Sequence, residues 1–349
     1  MWSRFDAVVV DRELGWARSI GFNSVRVYLS ALVYSQQPRP FLSHLETFLQ
    51  FCRQHELTAM LVLFDCCGIE PRSDAVRMTT REAYHRFVSH PALSASTQKL
   101  IEARYREFAE GRGKDLTLHI GKDTPFDVLF WQNWSPNPGL SRMTANHWPR
   151  LSEYVDAVLD VARKHPSFIA CDILNEPGCL FDVPSVLTRQ QADQLVGAFV
   201  NHFSEHIQAR FPGVVRTIGS ENLERMKALA AHQSILSIHC YKLGAELSDT
   251  LTQALAFVQE QKKPLLLTEC LANTDNWLKT HGEERLSTDE AQLRHYQQTL
   301  PLILKRDLGW YSWGFVAGQM FTPFTDILYP NGYRRPAAVY LEEQLRLKP

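Results

Sequence analysis

Seven short runs of almost continuous apolar residues recur along this chain, and longer amphipathic stretches separate them. Strands that are covered by helices on both faces of a parallel sheet have this composition. The predicted strands are residues 24–29, 59–65, 168–174, 214–220, 235–241, 265–270 and 310–315, and the amphipathic stretches include residues 42–55, 148–165, 190–211 and 289–306. Alternation repeated this often predicts an α/β fold, and at 349 residues a (β/α)8 TIM barrel is the expected architecture.

Two irregularities interrupt the alternation. A long insertion, at about residues 69–147, follows the run 59–65, which corresponds to the third strand of the barrel. Within it, residues 80–108 have a helical pattern and residues 130–138 are rich in aromatic and turn-forming residues. Because no flexible linker separates the insertion, we expect a single domain over residues 1–349.

The first strand of the barrel is the second irregularity, because no apolar run of the expected kind precedes residues 24–29. Residues 7–10 could supply an atypical strand, with residues 12–20 as the first helix. No loop follows residue 10, however, so residues 5–20 could also form one helix. A barrel that lacks a strand has two open edges, and open edges allow pairing with another copy of the chain, so a homo-oligomer is one expectation.

Charge and hydropathy exclude several classes of function. The 37 Lys and Arg residues and 38 Asp and Glu residues leave a net charge of −1, so we expect no nucleic-acid partner. The apolar run 59–64 is far shorter than the roughly 20 residues that cross a bilayer, so we expect no membrane span. The chain as written has no secretory signal at its start, which favours the cytoplasm; a truncated start would leave secretion open.

The cysteines indicate free thiols. Seven is an odd number, and most of them lie in or beside apolar runs, as buried thiols do in a reducing compartment. Cys66 and Cys67 are adjacent and lack the two- to four-residue spacing of zinc pairs, so we expect neither a metal site nor a redox role there.

Two glutamates follow predicted strands at the edge where barrel enzymes keep their active sites. Glu176 comes directly after the run 168–174, and Glu269 lies near the end of the run 265–270. Carboxylates at such positions must be solvated, paired or used chemically. Two of them on either side of one bond are what glycoside hydrolysis requires.

The segments around these residues resemble the (β/α)8 clan of retaining β-glycosidases that includes glycoside hydrolase family 5, with its cellulases and mannanases. The resemblance rests on five segments in the same order: residues 21–26, residues 173–177 with the sequence Ile-Leu-Asn-Glu-Pro, residues 239–241, Glu269 and residues 310–314. It covers most of the chain outside the insertion. It implies that Glu176 is the acid/base, that Glu269 is the nucleophile, and that neither a cofactor nor a metal is needed.

The resemblance also implies a carbohydrate-binding cleft around the two glutamates. Arg26 and Tyr241 would hold Glu269, Asn175 would bind the sugar 2-hydroxyl, and His239 would line the cleft. Trp313 would offer a flat face to a sugar ring. Asp65, Trp131 and Trp134 are further candidates for contacts with the sugar. Two nearby negative charges are expected to raise the pKa of Glu176.

Three functions fit this sequence. The first is a retaining β-glycoside hydrolase that acts on a β-linked oligosaccharide, polysaccharide or small glycoside. A non-catalytic carbohydrate-binding barrel and a transglycosylase with the same residues are the alternatives. The identity of the sugar, its linkage and endo or exo action depend on loops whose conformation cannot be read from the sequence.

Overall fold

The computed structural model describes most of the chain outside the insertion and two later loops. The described residues are 1–67, 76–87, 117–120, 137–179, 187–271, 289–316, 326–329 and 331–347, together with 102, 105, 106, 109 and 110.

Strands and helices alternate along the described residues. The strands are β1 (Ser24–Tyr28), β2 (Thr58–Asp65), β3 (Val76–Thr79), β4 (Thr117–Ile120), β5 (Phe168–Asn175), β6 (Arg216–Thr217), β7 (Leu236–His239), β8 (Leu265–Cys270) and β9 (Gly309–Ser312). The α-helices are α1 (Ala7–Ile20), α2 (Ala31–Gln36), α3 (Pro38–Gln54), α4 (Thr80–Phe87), α5 (Trp148–Ala162), α6 (Arg189–Arg210), α7 (Leu223–Ala228), α8 (Gly244–Gln261), α9 (Asp289–Leu304) and α10 (Pro336–Arg346). Short 3-10 turns lie at Trp2–Arg4, Leu140–Arg142, Ala145–His147 and Ala230–His232.

The strands outside the insertion run parallel to their neighbours. One sheet has the order β1-β2-β5-β6, and a second has the order β7-β8-β9. An isolated parallel bridge between Ser220 and Ile238 joins the segment that follows β6 to β7, so the two sheets continue one another. Each predicted apolar run overlaps one of these strands, which confirms the α/β class. The antiparallel pair β3-β4 belongs to the insertion.

The two outer strands, β1 and β9, approach each other without a ladder between them in the described residues. The Ser24 Oγ and Tyr311 OH atoms are 2.7 Å apart, and the Phe22 and Trp310 rings meet edge to face with centroids 6.1 Å apart. A groove of about 520 Å³ lies along this seam and reaches Glu269. Pairing of these edges with a second copy stays a prediction.

Residues 7–10 are helical, so the interpretation of this segment as an atypical strand is wrong and the single-helix interpretation is confirmed. The Asp6 side chain caps α1 by accepting a hydrogen bond from the Val9 amide, with N and Oδ1 3.1 Å apart. Val10 and Leu14, four residues apart, are buried on one face of the helix. Gly21 ends it with φ of +108°, a left-handed conformation that glycine adopts without strain. Capping and burial therefore stabilise a helix here, although the β-branched valines at residues 8–10 favour a strand.

Helices and sheet bury a continuous apolar core. Leu61, Leu63 and Phe64 of β2 are fully buried, and Phe199 and Phe203 of α6 pack on Phe64 with ring centroids 4.9 Å away. Because parallel strands all end at the same edge, this packing brings the residues that follow β2, β5, β7 and β8 together. Within the described part of the chain, no helix has the length and hydropathy of a membrane span.

Candidate active site

Glu269, near the end of β8, is surrounded by hydrogen-bond donors. Its side chain is only 5% exposed, and Arg26 Nη1 lies 2.7 Å from Oε1. The hydroxyl of Tyr28 also donates to Oε1, and the hydroxyl of Tyr241 donates to Oε2. One cationic and two phenolic donors therefore fix the position of this buried carboxylate.

Arg26 connects Glu269 to the strands beside it. Its Nη2 atom lies 2.7 Å from Asp172 Oδ2 and 2.7 Å from Asn175 Oδ1. The side chains of Arg26 and Asp172 are 4% and 0% exposed. Arg26 is therefore compensated by two buried carboxylates, and its planar guanidinium fixes all of these groups relative to one another.

Glu176 follows β5 in a strained backbone conformation, with φ of +47°. Its amide donates to the Gly219 carbonyl at 2.7 Å, which holds the turn. Oε1 accepts a hydrogen bond from His239 Nδ1 at 2.7 Å, and Oε2 accepts one from Cys67 Sγ at 2.7 Å. The two carboxylate oxygens of Glu176 therefore have different hydrogen-bond partners. A positive φ at a residue other than glycine is strained, and such a conformation persists only where the surrounding contacts stabilise it.

The pKa of Glu176 is shifted in the direction opposite to our expectation. Burial alone would raise the pKa of Glu176, but the hydrogen bond and charge of His239 and the hydrogen bonds from Cys67 and Cys179 lower it to about 2. Burial alone would lower the pKa of His239, but the charges of Glu269 and Glu176 raise it. The expectation considered only like charges, so it was wrong. The contact with His239 therefore favours the ionised form of Glu176, and the two carboxylates favour the protonated form of His239.

The two glutamates meet across a short gap. Nδ1 of His239, one carboxylate oxygen of Glu176 and one of Glu269 all lie within 4.8 Å of one another. His239 Nδ1 is also 3.4 Å from Glu269 Oε2. A separation of about 5–5.5 Å between carboxyl groups is typical of retaining glycosidases, whereas inverting enzymes need room for a water between them.

Asn175 and Asp65 are hydrogen-bonded to each other beside the glutamates. Asn175 Nδ2 donates to Asp65 Oδ1 at 2.9 Å, and Asn175 Oδ1 accepts from Arg26. The Tyr28 hydroxyl oxygen lies 3.1 Å from the same Oδ1. The Cys67 amide also donates to Asp65 Oδ1, at 3.0 Å. Burial raises the pKa of Asp65 to about 7. Asp65 therefore orients Asn175 and the turn after β2.

Gly219 leaves room for this network. A Cβ atom at residue 219 would lie 2.8 Å from each of Arg26 Nη2, Asp172 Oδ2 and His239 Nε2. Only glycine allows the backbone after β6 to approach these side chains so closely.

Of the ten site residues predicted from the sequence, the structure describes eight. Trp313 is partly exposed, and its ring meets that of Tyr241 edge to face with centroids 6.2 Å apart. Trp131 and Trp134 lie outside the described residues. The eight described residues are gathered at the carboxyl ends of the strands: Arg26, Asp65, Asn175, Glu176, His239, Tyr241, Glu269 and Trp313.

Sequence reasoning missed three residues of the network. Tyr28 lies two positions after Arg26 on the same face of β1, so strand alternation could have identified it. Asp172 is a charged residue within a buried apolar strand, which by itself demands a partner. The contact of Cys67 with Glu176 left no signal in the sequence, because it depends on the shapes of two loops.

Among the residues that the structure describes, two sets of side chains have donor atoms close enough for one metal ion. One set is Glu176, His239 and Glu269; the other is Cys67, Glu176 and Cys179, again with all three donor atoms within 4.8 Å of one another. Glu176 belongs to both sets.

Comparison with known proteins identifies the fold. No family model matches the sequence, and no curated protein matches it. Among solved structures, a GH5_18 protein from Streptomyces cattleya in complex with GlcNAc is 14% identical with a TM-score of 0.62, over 100% of this chain and 77% of that one. A variant of it in complex with Manβ1-4GlcNAc gives a TM-score of 0.61 at 13% identity, over 99% and 76% of the two chains. An endo-1,4-β-D-mannanase from Thermotoga petrophila RKU-1 is 12% identical with a TM-score of 0.54, over 97% and 95%. The chain therefore has the fold of the (β/α)8 glycoside hydrolases.

Proposed function

We propose that this protein is a retaining β-glycoside hydrolase, with Glu269 as the nucleophile and Glu176 as the acid/base. The observation that carries the proposal is the short gap between the two carboxylates, within which His239 contacts both. The fold supports it independently, because carboxylates at the carboxyl ends of barrel strands face the active-site end.

In the first step, Glu269 attacks the anomeric carbon while the bond to the departing oxygen breaks. Arg26, Tyr28 and Tyr241 donate hydrogen bonds to Glu269 and fix its direction of attack. Glu176 gives its proton to the departing oxygen, and His239 supplies that proton through the 2.7 Å contact of Nδ1 with Oε1.

In the second step, Glu176 is ionised, takes a proton from water and returns it through the same contact to His239, which gave up its proton in the first step. The oxygen of that water attacks the anomeric carbon, and the bond to Glu269 breaks, which returns the free carboxylate.

The proposed substrates are β-mannosides, because two structural neighbours of this chain concern β-linked mannose: one holds Manβ1-4GlcNAc and another is a mannanase. Trp313, partly exposed beside Tyr241, offers an aromatic face to the sugar ring.

The test is a pair of isosteric variants assayed on aryl β-mannoside, β-glucoside and β-glucuronide. Glu176→Gln and Glu269→Gln should each remove nearly all hydrolysis, while the matched control Glu246→Gln, at an exposed helical position, should keep the parent rate. Substantial turnover by Glu269→Gln would contradict the assignment.

A mechanism-based fluoro-sugar separates the hydrolase from the binding protein. The hydrolase should gain one covalent adduct, located at Glu269 by peptide mass spectrometry, and a non-catalytic carbohydrate-binding barrel gains none. Product analysis with added acceptor sugar then distinguishes hydrolysis from transglycosylation.

A further inference from the structure

Two thiols lie beside the carboxylate of Glu176, the proposed acid/base. Neither thiol takes part in the reaction proposed above. Cys67 Sγ is 2.7 Å from Glu176 Oε2, and the sulfur of Cys179 lies within 4.8 Å of Cys67 Sγ and of a carboxylate oxygen of Glu176. Both cysteines are free; Cys67 is buried and Cys179 is partly exposed. Two sulfur atoms and a carboxylate oxygen around one point make a donor set suited to a soft divalent cation.

Backbone contacts hold the three donors in place. The Cys67 amide bonds to the Asp65 side chain two residues earlier at 3.0 Å, and the Cys179 amide donates to the Glu176 carbonyl at 2.9 Å. The Cys66 amide donates to the Asn175 carbonyl at 3.0 Å, which ties the two turns to each other. The backbone that carries the three donors is therefore fixed before any ion arrives, and only the side chains have to move.

We propose that Cys67, Cys179 and Glu176 bind a thiophilic divalent cation of the Zn²⁺ or Cd²⁺ class, and that the bound ion inhibits the enzyme by occupying Glu176. Tetrahedral Zn²⁺ places two thiolates about 3.8 Å apart and a thiolate and a carboxylate oxygen about 3.6 Å apart. The ion would need the 2.7 Å contact of Cys67 with Glu176 to open by about 0.9 Å, a movement that side-chain rotation supplies. Each thiol releases its proton to solvent when the ion binds.

The second carboxylate oxygen of Glu176, Oε1, favours binding of the ion. Oε1 of Glu176 keeps its hydrogen bond to His239 Nδ1 while Oε2 binds the ion, so His239 serves as the outer-shell partner of the ligand. A metal-bound Glu176 neither donates nor accepts a proton, so the proposed inhibition rests on the proposed function. The proposed binding of the ion does not depend on that function.

Direct binding is measured by titrating the reduced protein with Cd²⁺ alone and following the ultraviolet thiolate-to-cadmium charge-transfer band. One equivalent should saturate the band, and Zn²⁺ should displace it. Cys67→Ser and Cys179→Ser keep the size and polarity of the side chains but remove a soft donor. Each should weaken Cd²⁺ binding by more than the roughly 100-fold that loss of an outer-shell partner costs. The control Cys52→Ala changes a buried thiol of α3 and should keep the parent affinity.

Inhibition is measured separately, as the rate with Zn²⁺ relative to the metal-free rate of the same variant. Zn²⁺ should inhibit the parent protein, a chelator should restore the rate, and both serine variants should resist inhibition. A parent protein without the charge-transfer band, or a band that persists in both variants, overturns the site. A normal band without inhibition overturns the inhibitory role. If the protein hydrolyses no glycoside, the proposed function fails, and the cadmium titration still decides the site.

Discussion

Replacement of Arg26 by Met tests how strongly the buried charge network depends on its one guanidinium. Methionine keeps most of the length of the side chain and removes the charge. It leaves Asp172 and Glu269, whose side chains are 0% and 5% exposed, without the guanidinium that contacts both of them. Breaking a buried ion pair by removing one partner costs about 3–5 kcal/mol. We therefore expect Arg26→Met to lower the free energy of unfolding at pH 7 by about that amount, measured by urea denaturation.

The chain offers a matched control for burial. Arg18 Nη2 lies 2.6 Å from Glu56 Oε2, almost the same distance as in the Arg26 pairs, but these side chains are 44% and 75% exposed. Exposed pairs contribute at most about 1 kcal/mol, so Arg18→Met should change stability little.

The cause of the loss is tested by two further measurements. At acid pH, protonation neutralises the carboxylates left behind, so the stability gap between Arg26→Met and the parent should narrow. The double variant Arg26→Met/Asp172→Asn should recover part of the loss, because it removes one orphaned charge. If Arg26→Met stays within 1 kcal/mol of the parent at pH 7, with no dependence on pH, the uncompensated-charge argument fails.

Gly219→Ala should destabilise the protein by about 1–3 kcal/mol in chemical denaturation, because its Cβ would lie 2.8 Å from three polar atoms; Gly197→Ala, with open space in α6, should stabilise it by up to about 1 kcal/mol. Equal effects of the two would refute the close-approach argument. Because the pKa of Asp65 is raised to about 7, the native protein binds its proton more tightly than the unfolded chain. Its contribution to stability should fall between pH 4 and pH 7, by at most roughly 1.4 kcal/mol per pH unit, and Asp65→Asn should flatten that slope; an unchanged slope would show that another group causes it. Trp313→Ala should raise the KM for an aryl β-mannoside about fivefold, equivalent to roughly 1 kcal/mol of ring contact, and an unchanged KM would exclude its ring from the sugar site.

The order of strands and the meeting of the two glutamates could be predicted from the sequence, because both depend on short-range patterns. Apolar runs identified each barrel strand that the structure describes, and parallel strands carry the residues after them to one edge. Glu176 and Glu269 needed only their positions at strand ends to be placed together. The placement did not require the loops to be known.

The segment at residues 7–10 could not be assigned from composition alone. Three consecutive valines favour a strand, but the capping Asp6 and the terminal Gly21 together with burial of one face make a helix more stable. Similarly, the acid/base environment depends on contacts between loops. The Cys67 side chain reaches Glu176 across 109 residues of chain, and no local pattern encodes such a contact.

The charge on Glu269 connects the two steps of the proposed reaction. His239 Nδ1 lies 3.4 Å from Glu269 Oε2, and after burial the Glu269 charge is the largest influence on the pKa of His239, which it raises. When Glu269 becomes an ester, that charge disappears, and the pair formed by His239 and Glu176 holds its proton less tightly. The loss favours proton donation in the first step, and the return of the charge favours proton abstraction from water in the second.

This coupling can be measured on the fluoro-glycosyl enzyme. The trapped intermediate carries the ester at Glu269, so NMR of ¹³C-labelled glutamate and ¹⁵N-labelled histidine should show the His239–Glu176 pair losing its proton at lower pH than in the free enzyme. Glu269→Gln removes the same charge without a sugar and should move the titration in the same direction. If the titration is the same in all three proteins, His239 does not sense Glu269. Proton transfer by Glu176 would then have to be driven by the substrate alone, and the 3.4 Å contact would have only a structural role.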